Sequence, residues 1–335
     1  MNRKLLGILL ALAIFASSLA GFSKNIFRQY NESIQKTASA QKMNQSIDFE
    51  LKMDSSGLNL PSDEQQILKL YGSSIKGSIT SKYDADKKLG SFEGNVGLSE
   101  IIFNFKGFFK EDKLILQLPV LPKYLVIDIK ELNKEKEGNA LKVQNDFQRK
   151  LLNQWNSVVT KDKIKKTGDK KLSIGGENVD TTEFELNLTD GDVKKLITGL
   201  LDAMLKDEKF KKMIVESIKE ENPQGNVSDA DIQKEIDNTV SEFESVLKDV
   251  VIENAKYTGN IDKNSYLVQE NYEFILSANV PDAGKLKESI KFTVKRWSIG
   301  KDVTVELPKL TKENSMSLQE LIENSDSVLG DYQNQ

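Results

Sequence analysis

The sequence predicts an α+β fold, a large curved antiparallel β-sheet (a half-barrel) with helices packed on its concave face. Three observations predict it. Apolar and polar residues alternate with a period of two in two separate blocks, 44–130 and 255–308. Connections inside each block are short, as in an antiparallel meander. Between the blocks lies a segment, 139–253, whose apolar residues mostly recur at helical spacing. The length of 335 residues allows two domains. The interrupted pattern instead reads as one sheet completed across an insert. It gives a single domain over 23–310 and a polar tail over 311–335.

The elements follow in order. Arg3 and Lys4 precede an apolar run from Leu5 to Phe15, and Ser18 and Ala20 offer a small-x-small cleavage site. Extended to Phe22, the run approaches the lower length limit of a membrane helix. Residues 1–22 therefore read as a cleaved signal peptide or an uncleaved signal anchor. Either one makes the rest of the chain extracytoplasmic, secreted or anchored to the cell membrane by residues 5–22. Leu19-Ala20-Gly21 begins like a lipoprotein box, but Phe22 stands where the lipidated Cys is required.

From Ser23 to about Met43, Ile26, Phe27, Tyr30, Ile34 and Ala38 recur every three to four residues, which predicts an amphipathic helix. Ile47, Phe49, Leu51 and Met53 then alternate with charged and polar residues, a half-buried strand. The same alternation runs through 75–83, 92–98, 101–109, 114–118 and 124–129, with Asp84 to Lys88 as a turn. Gly77, Gly94, Gly97 and Gly107 sit inside these strands and suggest strong curvature. Helical spacing follows over about 140–158. A hairpin is expected at 171–174 and 182–188, turned by Gly175-Gly176-Glu177-Asn178. Helices are expected over 192–205, 210–219 and 228–251, the last opened by the capping pair Ser228 and Asp231. Strands return around Tyr257, Tyr272, Ile290 and Val303 to Leu307, and a short helix is expected near 317–324.

Composition excludes whole classes of chemistry. The chain has no Cys and no His. Disulfides, thiolate metal sites, Ser-His-Asp triads and His-ligated metals are therefore impossible. Lys+Arg is 47 against Asp+Glu 51, a formal net charge of −4 with the signs interspersed, so no nucleic-acid partner is expected. No cofactor, metal or catalytic residue is expected, and the chain is read as not an enzyme. Ser73 with Lys76, Ser33 with Lys36, and Lys166-Thr167-Gly168 match fragments of the penicillin-recognising enzymes, but Ser73 lies in a strand pattern where that chemistry needs a helix. Asp84-x-Asp86 and Asp262-x-Asn264 match fragments of calcium loops and read as turn chemistry. Glu183 and Glu185 read as a solvated strand face.

The apolar stripes are the informative set. Phe92, Phe103, Phe105, Phe109, Tyr272, Phe274 and Phe292 are expected to share the sheet face turned toward the helices. They form either an ordinary core or the lining of an apolar ligand pocket.

The layout resembles the LolA/LppX-like half-barrel superfamily of bacterial envelope proteins, and in particular secreted or anchored proteins of low-GC Gram-positive bacteria. The likeness is carried by the stretch from Trp297 to Pro308, similar to that family's closing hairpin, and by Tyr257 to Asp262 with Tyr266-Leu267-Val268 before it. It implies a non-enzymatic envelope protein that binds a lipid or acyl chain between sheet and helices. The alternative is a structural or protein-interaction module at the cell surface, with an envelope protein as partner. The membrane link expected here is the N-terminal segment, if uncleaved.

Overall fold

The computed structural model describes residues 26–59, 61, 74–99, 101–129, 154–155, 157–205, 215, 228–280 and 284–323. The expected N-terminal segment 1–22, most of the helix expected over 140–158, nearly all of the one expected over 210–219, and the break at 221–227 lie outside them. No helix among the described residues is long and apolar enough to cross a membrane.

Twelve strands form one open sheet accompanied by helices, the α+β architecture the alternation predicts. Helix α1 (Ile26–Ala38) leads into β1 (Lys42–Leu58). The meander continues as β2 (Ser74–Asp84), β3 (Leu89–Leu98), β4 (Ile101–Lys110), β5 (Lys113–Gln117) and β6 (Tyr124–Asp128). A hairpin of β7 (Ile164–Ile174) and β8 (Glu177–Asn187) precedes helices α2 (Asp190–Leu205) and α3 (Asp229–Asp249). Three long strands follow, β9 (Val250–Asp262), β10 (Leu267–Val280) and β11 (Gly284–Trp297). A short β12 (Ser315–Ser317) and helix α4 (Leu318–Glu323) close the described chain.

The spatial order is β12-β6-β5-β4-β3-β2-β1-β11-β10-β9-β8-β7. The first strand block and the last meet at the centre, where β1 pairs antiparallel with β11, Phe49 opposite Phe292 and Leu51 opposite Ile290. The sheet is thus completed across the interrupting segment, as the two-block pattern predicts.

Four elements differ from expectation. Helix α1 ends at Ala38 rather than near Met43, because the chain enters β1 at Lys42 and Met43 is buried on the sheet. The β7–β8 hairpin belongs to the sheet, since β8 pairs with β9, Leu186 opposite Tyr257. The expected strand at Val303 to Leu307 does not form. A hairpin returning from β11 needs a vacant edge, and both edges of β11 are taken by β1 and β10. The chain instead turns at Gly300 (φ +74°), whose N–H bonds the Lys42 carbonyl at 2.8 Å, so the family-like closing hairpin is absent. The tail contributes β12, which pairs parallel with β6, and then α4, where a short helix was expected.

Local chemistry accounts for the helix starts. The Ser228 hydroxyl accepts from the Asp231 N–H, and the Asp231 carboxylate accepts from the Ser228 N–H, a full capping box for α3. Thr189 and Asp192 do the same at α2. Helix α1 docks through polar groups as well as apolar ones. Thr37 donates to the Ser33 carbonyl and accepts from the Leu267 N–H at 2.8 Å, next to an irregularity in the β9–β10 register.

The core has two adjoining parts on the helix-facing side. One gathers Tyr30 and Ile34 of α1 with Trp155, Val159, Phe184, Leu186 and Tyr257. The other gathers Val193 and Ile197 of α2 and Leu247 of α3 with Ile252, Leu276 and Ile290. The outermost strand on this side, β7, carries Lys165, Lys166, Lys170 and Lys171, with a register break at Thr167.

Candidate functional site

Strand register puts the seven predicted residues on one face. Phe103 pairs with Val96, Val96 with Gly77, Gly77 with Phe49, Phe49 with Phe292, and Phe292 with Tyr272, one row across six strands. Phe105 and Phe92 head the next rows, Phe109 the one beyond, and Phe274 flanks Tyr272 on the other side. The face is continuous, yet its two halves differ. Tyr272, Phe274 and Phe292 pack into the helix-covered core. Phe92, Phe105 and Phe109 are only half-buried, and Phe103 is 43% exposed.

The strand glycines explain the shape of that second half. A Cβ on Gly107 would fall 2.1 Å from the Phe92 ring, and one on Gly90 would fall 2.1 Å from Phe109. Gly77 stands in the same relation to Phe49, at 2.6 Å, and Gly94 to Phe105, at 3.1 Å. Each of these glycines lies directly opposite its ring across the ladder. The rings therefore fold down onto bare backbone, the known rescue of strand glycines by aromatics. The result is a flat aromatic floor in place of upright side chains. Gly107→Ala should destabilise the fold by about 1–3 kcal/mol through overpacking, read as a lowered midpoint in urea unfolding.

Two described hollows flank this region, but neither is the expected pocket. One, of about 680 Å³, lies under the β5–β6 connection. It is lined largely by Glu93, Asn95, Asn104, Lys106 and Gln117, which alternate out of phase with the rings. Of the seven candidates only Phe105 touches it. The other, of about 580 Å³, lies between β6 and the C-terminal segment, near Val126, Leu310 and Met316.

The apolar face also carries charged residues. Glu270 lies in phase with Tyr272 and Phe274, and Arg296 in phase with Val294 and Phe292. Arg296 Nη1 meets Glu270 Oε2 at 2.5 Å, and Glu270 Oε1 accepts from Tyr272 Oη at 2.7 Å and Tyr257 Oη at 3.0 Å. Arg296 also donates to Gln45 Oε1 and to the Leu267 carbonyl. Tyr30 packs edge-on against Tyr257. Burial, and then the Glu270 carboxylate, hold all three tyrosines well above the usual phenol range. Burial works against the Arg296 charge, but Glu270 outweighs it and raises the guanidinium above its ordinary value.

Glu288 is different. It is 3% exposed, and among the described residues neither carboxylate oxygen has a hydrogen-bond partner. Its cross-strand neighbours are Met53 and Leu276, and its in-phase neighbours along β11 are Leu286 and Ile290. Burial pushes its carboxyl up to about 7.

The remaining motifs resolve into structure. Asp84 is fully buried, accepts from the Lys87 N–H, and faces Lys42, which also meets Asp86 and Asp302. Asp262 accepts from the N–H groups of Asn264 and Tyr266, closing its own turn. Ser33 is buried and donates to Gln29, whereas Lys36 points to the Asn264 carbonyl and the Tyr266 ring. Thr167 bonds Glu183, which pairs with Lys170, and Glu185 pairs with Lys256. Among the described residues no three acidic groups cluster as a metal site would require.

The sequence reading missed Glu270, Arg296 and Glu288. The signal was present, because each charged residue sits in phase with an apolar stripe rather than between its members.

No protein-family model matches the chain, and no curated protein matches it. Among solved structures, a beta-barrel-like protein of a domain of unknown function, DUF1849, from Brucella abortus is 10% identical and covers 78% of this chain and 100% of its own, at a TM-score of 0.19. At that score no residue role passes from one protein to the other.

Proposed function

We propose that this is a non-enzymatic, extracytoplasmic envelope protein that binds a hydrophobic ligand, a lipid or acyl chain, on the aromatic floor of β2–β4. The single observation that carries the reading is the contrast between the two halves of one apolar face. The half under the helices is covered by them. The half holding Phe92, Phe103, Phe105 and Phe109 keeps its rings pressed flat and only half-covered. An apolar surface left in that state is a common mark of a binding site. The pattern of the first residues, with their positive start and apolar run, supports the extracytoplasmic address.

A second reading, a protein-interaction module, is favoured by one specific observation. Ile101 (51% exposed) and Ile102 (60%) alternate onto opposite faces of β4 and are both exposed. An edge apolar on both sides suits a partner surface better than a ligand floor.

Titration with a fluorescent polyene fatty acid separates them. Saturable binding is expected, weakened at least fivefold by Phe103→Gln with no change in thermal stability. Absence of binding at any accessible probe concentration overturns the ligand reading.

A further inference from the structure

We propose that Glu288 is the anchor for the polar end of the ligand, and that this end is cationic and donates hydrogen bonds, as a primary ammonium does. The inference rests on the binding reading above and deepens it. A carboxylate removed from water ordinarily has a partner, because burying it unpaired is strongly unfavourable. Among the described residues Glu288 has none on either oxygen, and Met53, Leu276, Leu286 and Ile290 around it can supply none.

Among the described residues the neighbouring charges are paired elsewhere or exposed. Lys285 and Lys287, on its own strand, are out of phase with it and pair with Glu253 of β9. Across the sheet, Asp54 of β1 is likewise out of phase, opposite Lys287, and bonds the Ser56 N–H. On α2, Lys194 pairs with Asp190, and Asp190 also accepts from the Ile252 N–H. On α3 the acidic and basic residues nearest β9, Glu244, Lys248 and Asp249, are exposed.

Position supplies the second half of the argument. Glu288 shares the face of the aromatic floor and lies one pair beyond the row Ile290-Leu51-Ile75-Leu98-Ile101. That row grades from buried Ile290, through half-buried Leu51, Ile75 and Leu98, to Ile101 at 51% exposure. From β11 to β4 is four inter-strand steps, roughly 19 Å, close to the length of an extended long alkyl chain. An amphiphile lying along it would place its tail on β2–β4 and its head at Glu288. An ammonium there would satisfy both oxygens and convert a strained acid into a stable carboxylate. The raised carboxyl, about 7, is the state expected of such a site without its cation.

The test uses the full chain with three twelve-carbon probes (dodecylamine, dodecanol and dodecanoate), each displacing a bound fluorescent fatty acid at pH 8. Dodecylamine is expected to compete at least tenfold more strongly than dodecanoate. Glu288→Gln should abolish that preference. Calorimetry at pH 7 in buffers of differing ionisation enthalpy should show proton release on amine binding in the parent protein and none in Glu288→Gln. If no alkyl probe binds, the binding reading itself fails. If alkyl probes bind without preference for the amine, or if the preference survives in Glu288→Gln, the anchor assignment is overturned and the binding reading stands.

Discussion

Replacing Arg296 with Met is expected to destabilise the fold by about 3–5 kcal/mol, the range for removing one partner of a buried ion pair. The loss does not come from the missing side-chain stem, which Met largely replaces. It comes from Glu270, left charged in a site where its remaining neighbours are two phenols that already donate to it. Adding Glu270→Gln should therefore recover part of the stability. The Gln carbonyl still accepts from Tyr257 and Tyr272, while the uncompensated charge is gone. Urea unfolding of the two single variants and the double variant checks this. A double variant no more stable than Arg296→Met would show that packing, not charge, sets the effect. Tyr257, Tyr272 and Tyr30 meet at this network, so the damage should extend to the docking of α1.

Glu288→Gln is expected to act in the opposite direction, with a strength set by pH. The folded carboxyl titrates at about 7 against an ordinary value of 4.5. Below about 4.5 the group is protonated in both states and contributes no penalty. As pH rises from there to 7, the unfolded chain gives up its proton first, so stability falls. Above 7 both states are ionised and the penalty levels off at about 3 kcal/mol. Glu288→Gln has no proton to lose. Its stability advantage over the parent should therefore grow from near zero at pH 4 to about 3 kcal/mol at pH 8. Unfolding curves at four or five pH values measure it directly, and a pH-independent difference would refute it. Glu253 does not mask the trend. Lys287, Ser277 and Lys285 hold it at about 2, so its contribution is lost only as pH falls from about 4.5 toward 2.

Much of the fold was legible because a two-residue period announces both a strand and its buried face. Strands β1 to β6 and β9 to β11 follow that pattern, and the shared face of Phe92, Phe103 and Phe292 follows from parity alone. Partner choice was less legible. Nothing local in Thr182 to Leu188 says that β8 pairs with β9 across two helices and more than sixty residues. Nothing in Val303 to Leu307 reveals that β1 has already taken the edge of β11 this segment would need. The strand glycines suggested curvature. Their partners show a further role, each making room for one opposing ring. At the candidate site the aromatic floor could be read from alternation, but the pairing of Glu270 with Arg296 depends on which strands are neighbours. So does the isolation of Glu288.

The lysine-rich outer strand β7 has a bearing on how such a sheet persists in solution. An open sheet keeps unpaired N–H and C=O groups along its margin, and a second molecule can add to them as one more strand. On β7 the four lysines would be brought against their counterparts by that pairing, and the break at Thr167 would interrupt its ladder. At the opposite margin β12 offers only three residues. The sheet thus remains open at both ends while being protected there against edge-to-edge self-association.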